Sequence, residues 1–290
     1  MKKDNNSIPE RFFEEKLPDI WSVNKDRQSF DKLQNHLINT TNMFHFFHKA
    51  ITKVLDFYSP EGLVVADVGG GVGWTSSILG FFPQIKKIYL IDPSPTRLDK
   101  SNHIADHYNI NKSKVFPIKG DFQKFNLPEK VDIVILNGAF HHCLDEYTKI
   151  LFENIRKSLK EPKITKYLDY RGEQKQITLR SKILISGEHY LNNIVIYKRF
   201  IDYILGIFHL KKPKKDWNEN LYKLGKFNPP HYFSGEHDRS KKEITKLFRK
   251  NNFKFEIIEH DEDNLKNKNR FSKFYKNHKT YYYAILEDNK

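Results

Sequence analysis

The chain has 290 residues, 38% hydrophobic and 30% charged, with a formal charge of +14 at pH 7; this suits one large soluble domain with additions better than two full domains. Its single cysteine, Cys143, excludes an intramolecular disulfide and any multi-cysteine metal site, and fits a reducing cytoplasm. Basic and acidic side chains number 9 and 8 over residues 1–60, 13 and 11 over 61–160, and 28 and 17 over 161–290, so the positive excess sits in the C-terminal part, where Lys mixed with acids and scarce Arg favour a solvated surface over a nucleic-acid face.

The N-terminus, Met1-Lys2-Lys3-Asp4-Asn5-Asn6, has no apolar stretch behind its charges and so no visible signal peptide. Residues 1–60 read as a helical extension. A long helix is expected over Ser29 to Tyr58, with Phe30, Leu33, Leu37, Phe44, Phe47, Ile51, Val54 and Leu55 at helical spacing.

From residue 61 the pattern alternates. Strands are expected at 63–68, 87–91, 114–118, 131–136 and 182–186, and helices at 74–82, 95–108 and 144–159, which predicts an α/β domain with a doubly wound parallel sheet. Ligands of such sheets bind beyond the carboxyl ends of the strands. The first turn there is the most informative segment of the chain: Asp67-x-Gly69-x-Gly71-x-Gly73, followed by Trp74 at the start of a helix. Alternate glycines let the chain turn sharply and lie against a ligand. A dinucleotide fingerprint, G-x-G-x-x-G, has a different spacing and aims amides at a pyrophosphate.

This loop resembles the first motif of the class I S-adenosylmethionine-dependent methyltransferases, an acid followed by G-x-G-x-G. The resemblance implies a mostly parallel, seven-stranded Rossmann-like sheet with S-adenosyl-L-methionine as methyl donor and S-adenosyl-L-homocysteine as product. It places Asp67 near the methionine ammonium and the glycine backbone, with Trp74, beside the cofactor. Asp92 closes the second strand, where a carboxylate can accept both hydrogens of a ribose diol; helix capping is the alternative, for which Ser94 serves at least as well. Asp121 and Phe122 follow the third strand, and the resemblance implies an acid there at the adenine amino group and an apolar neighbour on the ring. Three acids at three successive strand ends support one another.

The fourth strand ends in Asn137-Gly138-Ala139-Phe140-His141-His142-Cys143, where cofactor and acceptor would meet. A neutral imidazole suits removal of a hydroxyl or ammonium proton near neutral pH, so His142 and His141 are candidate bases, with adjacent side chains pointing different ways. Consecutive residues do not readily converge on one ion, and no metal site is expected. Residues 161–180 look like a hairpin or an inserted loop. After the fifth strand, Glu188, His189 and Tyr190 stand at the carboxyl edge as possible lining of the acceptor pocket, His189 also as a base.

Residues 161–239 are read as insertions and substrate lid. The amphipathic stretch Ile194 to Leu210 carries Lys198, Arg199 and Asp202 and is too short to span a bilayer; it is expected to cover the sheet and lid the active site, with docking on a membrane surface or a partner, a dimer contact included, as the alternative. Asn228-Pro229-Pro230-His231 is similar to the N-P-P-aromatic loop of adenine amino-methyltransferases, but that loop belongs after the fourth strand. In Gly235-Glu236-His237-Asp238-Arg239, His237 is a candidate base and Arg239 a candidate acceptor contact. Ser240 and Glu243 have capping-box spacing ahead of a helix at 240–251. Strands at 253–259 and 280–286 close the chain, and a final strand pair is what the resembled fold adds to a generic Rossmann sheet.

The expectation is therefore a cytoplasmic methyltransferase with a cofactor-binding core at 61–160, closing elements at 240–290, and a small-molecule acceptor methylated on oxygen or nitrogen. A nucleic-acid methyltransferase and a non-catalytic cofactor-binding subunit are the alternatives, and a homodimer is compatible with either.

Overall fold

The structure, a computed structural model, describes Trp21 and residues 23–58, 62–168, 171–191, 239–260 and 279–289. The expectations placed on His237, on the segment 194–210 and on 228–231 lie outside the described residues.

Strands β1 (Leu63–Val68), β2 (Ile85–Asp92), β3 (Val115–Lys119), β4 (Ile133–Asn137) and β7 (Lys182–Leu191) run parallel in the order β3-β2-β1-β4-β7. The sheet continues through β10 (Lys279–Asp288) to β9 (Phe253–Glu259), with β10 antiparallel to both neighbours. A two-residue strand, β8 (Arg239–Ser240), pairs in parallel with Tyr190 and Leu191. The expected doubly wound, mostly parallel architecture is present, including the closing strand pair. Strands β5 (Lys163–Leu168) and β6 (Gln174–Leu179) form a separate antiparallel hairpin, which resolves the choice left open for residues 161–180.

Strand alternation feeds two cores. Val64, Ala66 and Val68 of the fully buried β1 face one cluster with Leu151, Phe152 and Ile155 of α5 (Asp145–Ser158) and Ile244 and Phe248 of α6 (Lys241–Lys250). Leu63 and Val65 face the other, with α1 (Arg27–Asn35), α2 (Met43–Leu55), α3 (Trp74–Leu79) and Ile104 of α4 (Pro95–His107). Ser94 caps α4 with Pro95 in its first turn, and Ser240 and Glu243 form the anticipated capping box on α6.

Two boundaries differ from expectation in ways that matter. The helix expected over 29–58 is broken: α1 passes into a π-helical turn at His36–Thr40, and α2 restarts after Asn42, whose φ of 56° is left-handed. The run Asn39-Thr40-Thr41-Asn42 explains the break, because these short polar side chains compete for backbone hydrogen bonds. Strand β7 extends well past residue 186, so Glu188, His189 and Tyr190 are strand residues that alternate between faces.

Candidate active site

The turn between β1 and α3 is shaped by what lies under it. Asp67 is fully buried, and its Oδ2 accepts a 2.7 Å hydrogen bond from the Ser76 hydroxyl while Oδ1 has no partner. Burial, with the nearby Asp92 charge adding to it, pushes the Asp67 carboxyl up to about 7. A Cβ at Gly70 would come within 2.4 Å of Leu90 Cδ1 and 2.6 Å of Asp67 Oδ2, so the backbone can lie on the carboxylate only because no side chain intervenes. Gly71 takes φ +58° and would project a Cβ into open space. Its N–H donates to Asp92 Oδ2 at 3.0 Å, and Ser94 N–H donates to Asp92 Oδ1 at 2.9 Å. Asp92 is therefore both a turn-former and a carboxylate presented at the strand end. Burial raises its pKa, opposed by the Arg97 charge and by these two amides.

A cleft opens beyond the carboxyl ends of β1 to β4. Gly69, Asp92, Asp121, Phe122 and His142 line it, together with Pro93, Arg97, Gly120 and Ala139. Asp121 Oδ1 also accepts the backbone N–H groups of Gln123 and Lys124, each at 2.8 Å, so it shapes its own turn while facing the cleft. Arg97 was missed by sequence reading although its position was readable: it follows the Ser94 cap by one turn, on the helix that starts beside Asp92.

Several expected cofactor contacts stand behind the wall. Trp74 is buried in the α2 core, edge-on to Phe47 at 5.8 Å, because the first turn of α3 faces the sheet and α2. Gly73 packs against Ser101, where a Cβ would approach to 2.7 Å. Asn137 donates to Thr75 Oγ1 at 3.1 Å and accepts from Ser186 Oγ at 2.8 Å, bridging α3 to β7. Asp67 lies beneath the loop, as described above.

The turn after β4 brings the histidines together. The rings of His141 and His142 are 4.1 Å apart, and His189 lies 6.4 Å from His141 and 5.8 Å from Tyr281. His141 Nδ1 is 3.1 Å from Glu188 Oε2, while Glu188 Oε1 accepts the Phe140 N–H at 2.8 Å. Glu188 is 2% exposed, so its expected place as pocket lining is corrected to a buried support of the histidine turn. Tyr190 sits on the same face of β7 as Glu188, against Tyr282 at 5.6 Å and beneath Lys241, and desolvation raises its phenol pKa. Strand alternation turns it away from the cleft.

Arg239 is likewise corrected. It is 2% exposed, and its guanidinium donates to Asp145 Oδ1 at 2.9 Å, to the Phe140 carbonyl at 3.3 Å and to the Cys143 carbonyl, while lying 4.9 Å from the Phe140 ring centre. All of these bonds are internal to the protein. Cys143 is buried, and its thiol is pushed up to about 12 by desolvation, which leaves it protonated and a poor nucleophile. Among the described residues, no group of three or more His, Cys, Asp or Glu side chains is placed to hold a metal ion, and no helix is long and apolar enough to cross a membrane.

Known proteins share this fold. Residues 66–161 match the sequence model of a family described as a methyltransferase domain. The chain superposes on a presumed S-adenosylmethionine-dependent methyltransferase from Listeria monocytogenes at 17% identity and TM-score 0.51, covering 87% of this chain and 100% of that one. It superposes on the pyocyanin biosynthetic protein PhzM at 15% identity and TM-score 0.51, covering 93% and 62%. A search of curated proteins returns no match. The matched residues 66–161 include the glycine turn from Asp67, Asp92, Asp121 and the histidine turn. The chain's strand order and closing antiparallel strand are those of the class I S-adenosylmethionine-dependent methyltransferase fold.

Proposed function

We propose that this protein transfers a methyl group from S-adenosyl-L-methionine to an oxygen or nitrogen of a small acceptor bound beside His142 and His141. The observation that carries this reading is a cleft lined by both sets of groups, Asp92, Asp121 and Phe122 together with His142.

The residues present fit the cofactor. Each Asp92 oxygen already accepts one amide hydrogen, and a carboxylate has further lone pairs for a diol. Phe122, whose ring lies 3.4 Å from the position of a Gly69 Cβ, offers a flat wall at the third strand end. Oδ1 of Asp67 is unpartnered beneath the glycine turn, and a cationic ammonium above it would favour the ionised form of a carboxyl that burial has raised to about 7. When bound, the cofactor supplies an electrophilic methyl on a sulfonium. The chain's own task is to align the acceptor, keep the pocket dry and take up a proton. His142 lines the cleft itself, and His141 stands behind it with its orientation fixed by Glu188.

A small acceptor is favoured over a nucleic acid by the surface. Lys241, Lys182, Lys53, Lys87 and Lys160 each pair with a carboxylate within 4.0 Å, so these five are engaged within the protein and not free to neutralise a phosphate backbone.

Titration calorimetry with S-adenosylhomocysteine tests the cofactor, and transfer of labelled methyl into a panel of phenols, alcohols and amines tests the acceptor. Binding that is lost in Asp92→Ala, with turnover on at least one acceptor class, supports the reading. No binding by the wild type, or the same affinity in Asp92→Ala, overturns it.

A further inference from the structure

Arg97 is the one permanently charged cation among the described residues that line the cleft, and it shares that space with two carboxylates, Asp92 and Asp121. Its place in the chain breaks a local rule. Arg97 stands in the first turn of α4, where the free backbone amides already carry partial positive charge and an acid is favoured over a cation. A residue that runs against its own helix needs a gain elsewhere. Asp92 supplies it.

The backbone brings the cation back to the strand end it follows. Asp92 Oδ1 accepts the Ser94 N–H at 2.9 Å, and Ser94 Oγ accepts the Arg97 N–H at 3.3 Å. Pro93 and Pro95 fix two of the φ angles in this short path. Behind it Leu98 and Ser101 are buried, and the Ser101 hydroxyl donates to the Leu98 carbonyl at 2.6 Å, so that α4 is anchored while the half-buried Arg97 stays at the cleft. Asp92 therefore holds the helix start that carries the cation, and the cation acts back on Asp92.

Asp92 is 2% exposed, and burial works against its charge. Its surroundings are mostly acidic or titratable: Asp67 of β1, whose own ionisation the Asp92 charge opposes, and in the cleft Asp121 after β3 and His142 after β4. Lys119, in register opposite it on β3, is exposed to solvent. What favours the charged form is first the Arg97 guanidinium and then the Ser94 and Gly71 amides.

We propose that Arg97 is a positioning residue for the cofactor: it keeps Asp92 a carboxylate, the form that accepts both ribose hydroxyl hydrogens, and so preserves cofactor affinity in mild acid. The inference rests on the cofactor reading above and deepens it. A protonated Asp92 would carry a hydrogen on one oxygen while Gly71 and Ser94 still claim a lone pair on each, which leaves little acceptor capacity for a diol. Arg97 acts through Asp92 and needs no contact with the ribose.

Titration calorimetry with S-adenosylhomocysteine between pH 5 and pH 8 reads this effect, each variant being compared with the wild type at the same pH so that the Asp67 titration common to all of them cancels. Arg97→Met is expected to stay within about threefold of the wild type at pH 8, where it loses only the wall that the arginine stem contributes. As pH approaches 5 it should fall behind by a further factor of about ten, the size of effect a neighbouring arginine has on a carboxylate. Arg97→Lys restores the charge and should follow the wild type throughout. If Arg97→Met does not fold, Arg97→Gln removes the same charge and keeps a polar side chain. A ratio that is constant from pH 5 to pH 8 in the neutral variant overturns the proposal, as does an Arg97→Lys profile that matches the neutral one. Carbon-13 NMR of the Asp92 carboxyl in the unliganded protein, assigned by its loss in Asp92→Asn, gives a second readout: its midpoint should move to higher pH when the Arg97 charge is removed. An unmoved midpoint overturns the proposal even where S-adenosylhomocysteine binds, whereas a wild type that does not bind it overturns the cofactor reading and this role with it.

Discussion

The two sides of the cleft are built differently. On the cofactor side, β1, β2 and β3 present their groups through short turns, and each carboxylate bonds within a few residues of itself or to the adjacent loop: Asp67 to Ser76, Asp92 to Gly71 and Ser94, Asp121 to Gln123 and Lys124. On the histidine side the contacts are long-range, with Glu188 47 residues from His141 and Arg239 94 residues from Asp145. A site made from local turns tolerates change elsewhere in the chain. A site assembled from distant strands depends on their register, so single substitutions there should act on chemistry more than on cofactor binding.

The largest effect expected from this contrast is on turnover. His142→Ala should lower kcat by about 10²- to 10⁴-fold, the usual range for losing a general base, and, because it alters the cleft wall itself, should also change cofactor affinity. His141→Ala, behind that wall, should lower kcat less, with S-adenosylhomocysteine affinity nearly unchanged. Steady-state kinetics and calorimetry on the two variants read the difference, and equal effects on cofactor affinity would dissolve the division between the two sides. Next in size, Asp92→Ala should weaken S-adenosylhomocysteine by about 10- to 100-fold, since hydrogen bonds to a charged group contribute roughly 1.5–3 kcal/mol. Asp121→Ala should cost less, because that carboxylate also serves its own turn.

The same contrast explains what the sequence disclosed. The strand order, the glycine turn and Asp92, Asp121 and Phe122 were readable because each is encoded within a few residues of its strand end. Asp67 was readable as an acid of the motif, but its place beneath the turn was not, since nothing local says which face of Gly70 the backbone rests on. Trp74 was taken for a cofactor contact because it starts the helix; its neighbour Phe47 comes from α2, a contact sequence spacing does not encode. Glu188, Tyr190 and Arg239 were found as polar residues near the site and misplaced within it. Ending β7 at residue 186 concealed the alternation that puts Glu188 and Tyr190 on one face and His189 on the other. For Arg239, the only available hint was an arginine just before the α6 cap.

A further division concerns pH. The Asp67 carboxyl is raised from 3.8 to about 7, so the folded state holds its proton more tightly than the unfolded chain does. That stabilisation is complete below about pH 4 and is lost as pH rises through 7. Asp67→Asn keeps an acceptor for Ser76 and removes the titration. The melting temperature of the wild type should therefore decline relative to Asp67→Asn between pH 5 and pH 8, by about 4 °C or more for a chain of this size. A constant difference across that range would mean that Asp67 does not titrate there, and the charge beneath the cofactor turn would be permanent.

Farther along the sheet, where α2 packs, the sign reverses. His260, 5% exposed, stacks on Phe46 of α2 at 4.0 Å, lies 5.3 Å from Tyr283, and has no partner at Nε2. Burial, aided by the charges of Lys49 and His45, lowers its pKa from 6.5 to about 4. The folded state holds this proton less tightly, so the stability tied to neutral His260 is present above pH 6.5 and is lost as pH falls toward 4. Protonation would place a cation between Phe46 and Tyr283, loosening α2 from the end of β9. His260→Phe preserves the stack and cannot titrate. Between pH 7 and pH 5 it should lose about 2–4 °C less in melting temperature than the wild type; Asp67 protonation offsets part of the loss in both proteins and leaves this difference unchanged. The Asp67→Asn, His260→Phe double variant removes that offset, and a flat profile from pH 5 to 8 in this protein alone would assign the acid and alkaline limbs of stability to these two buried groups.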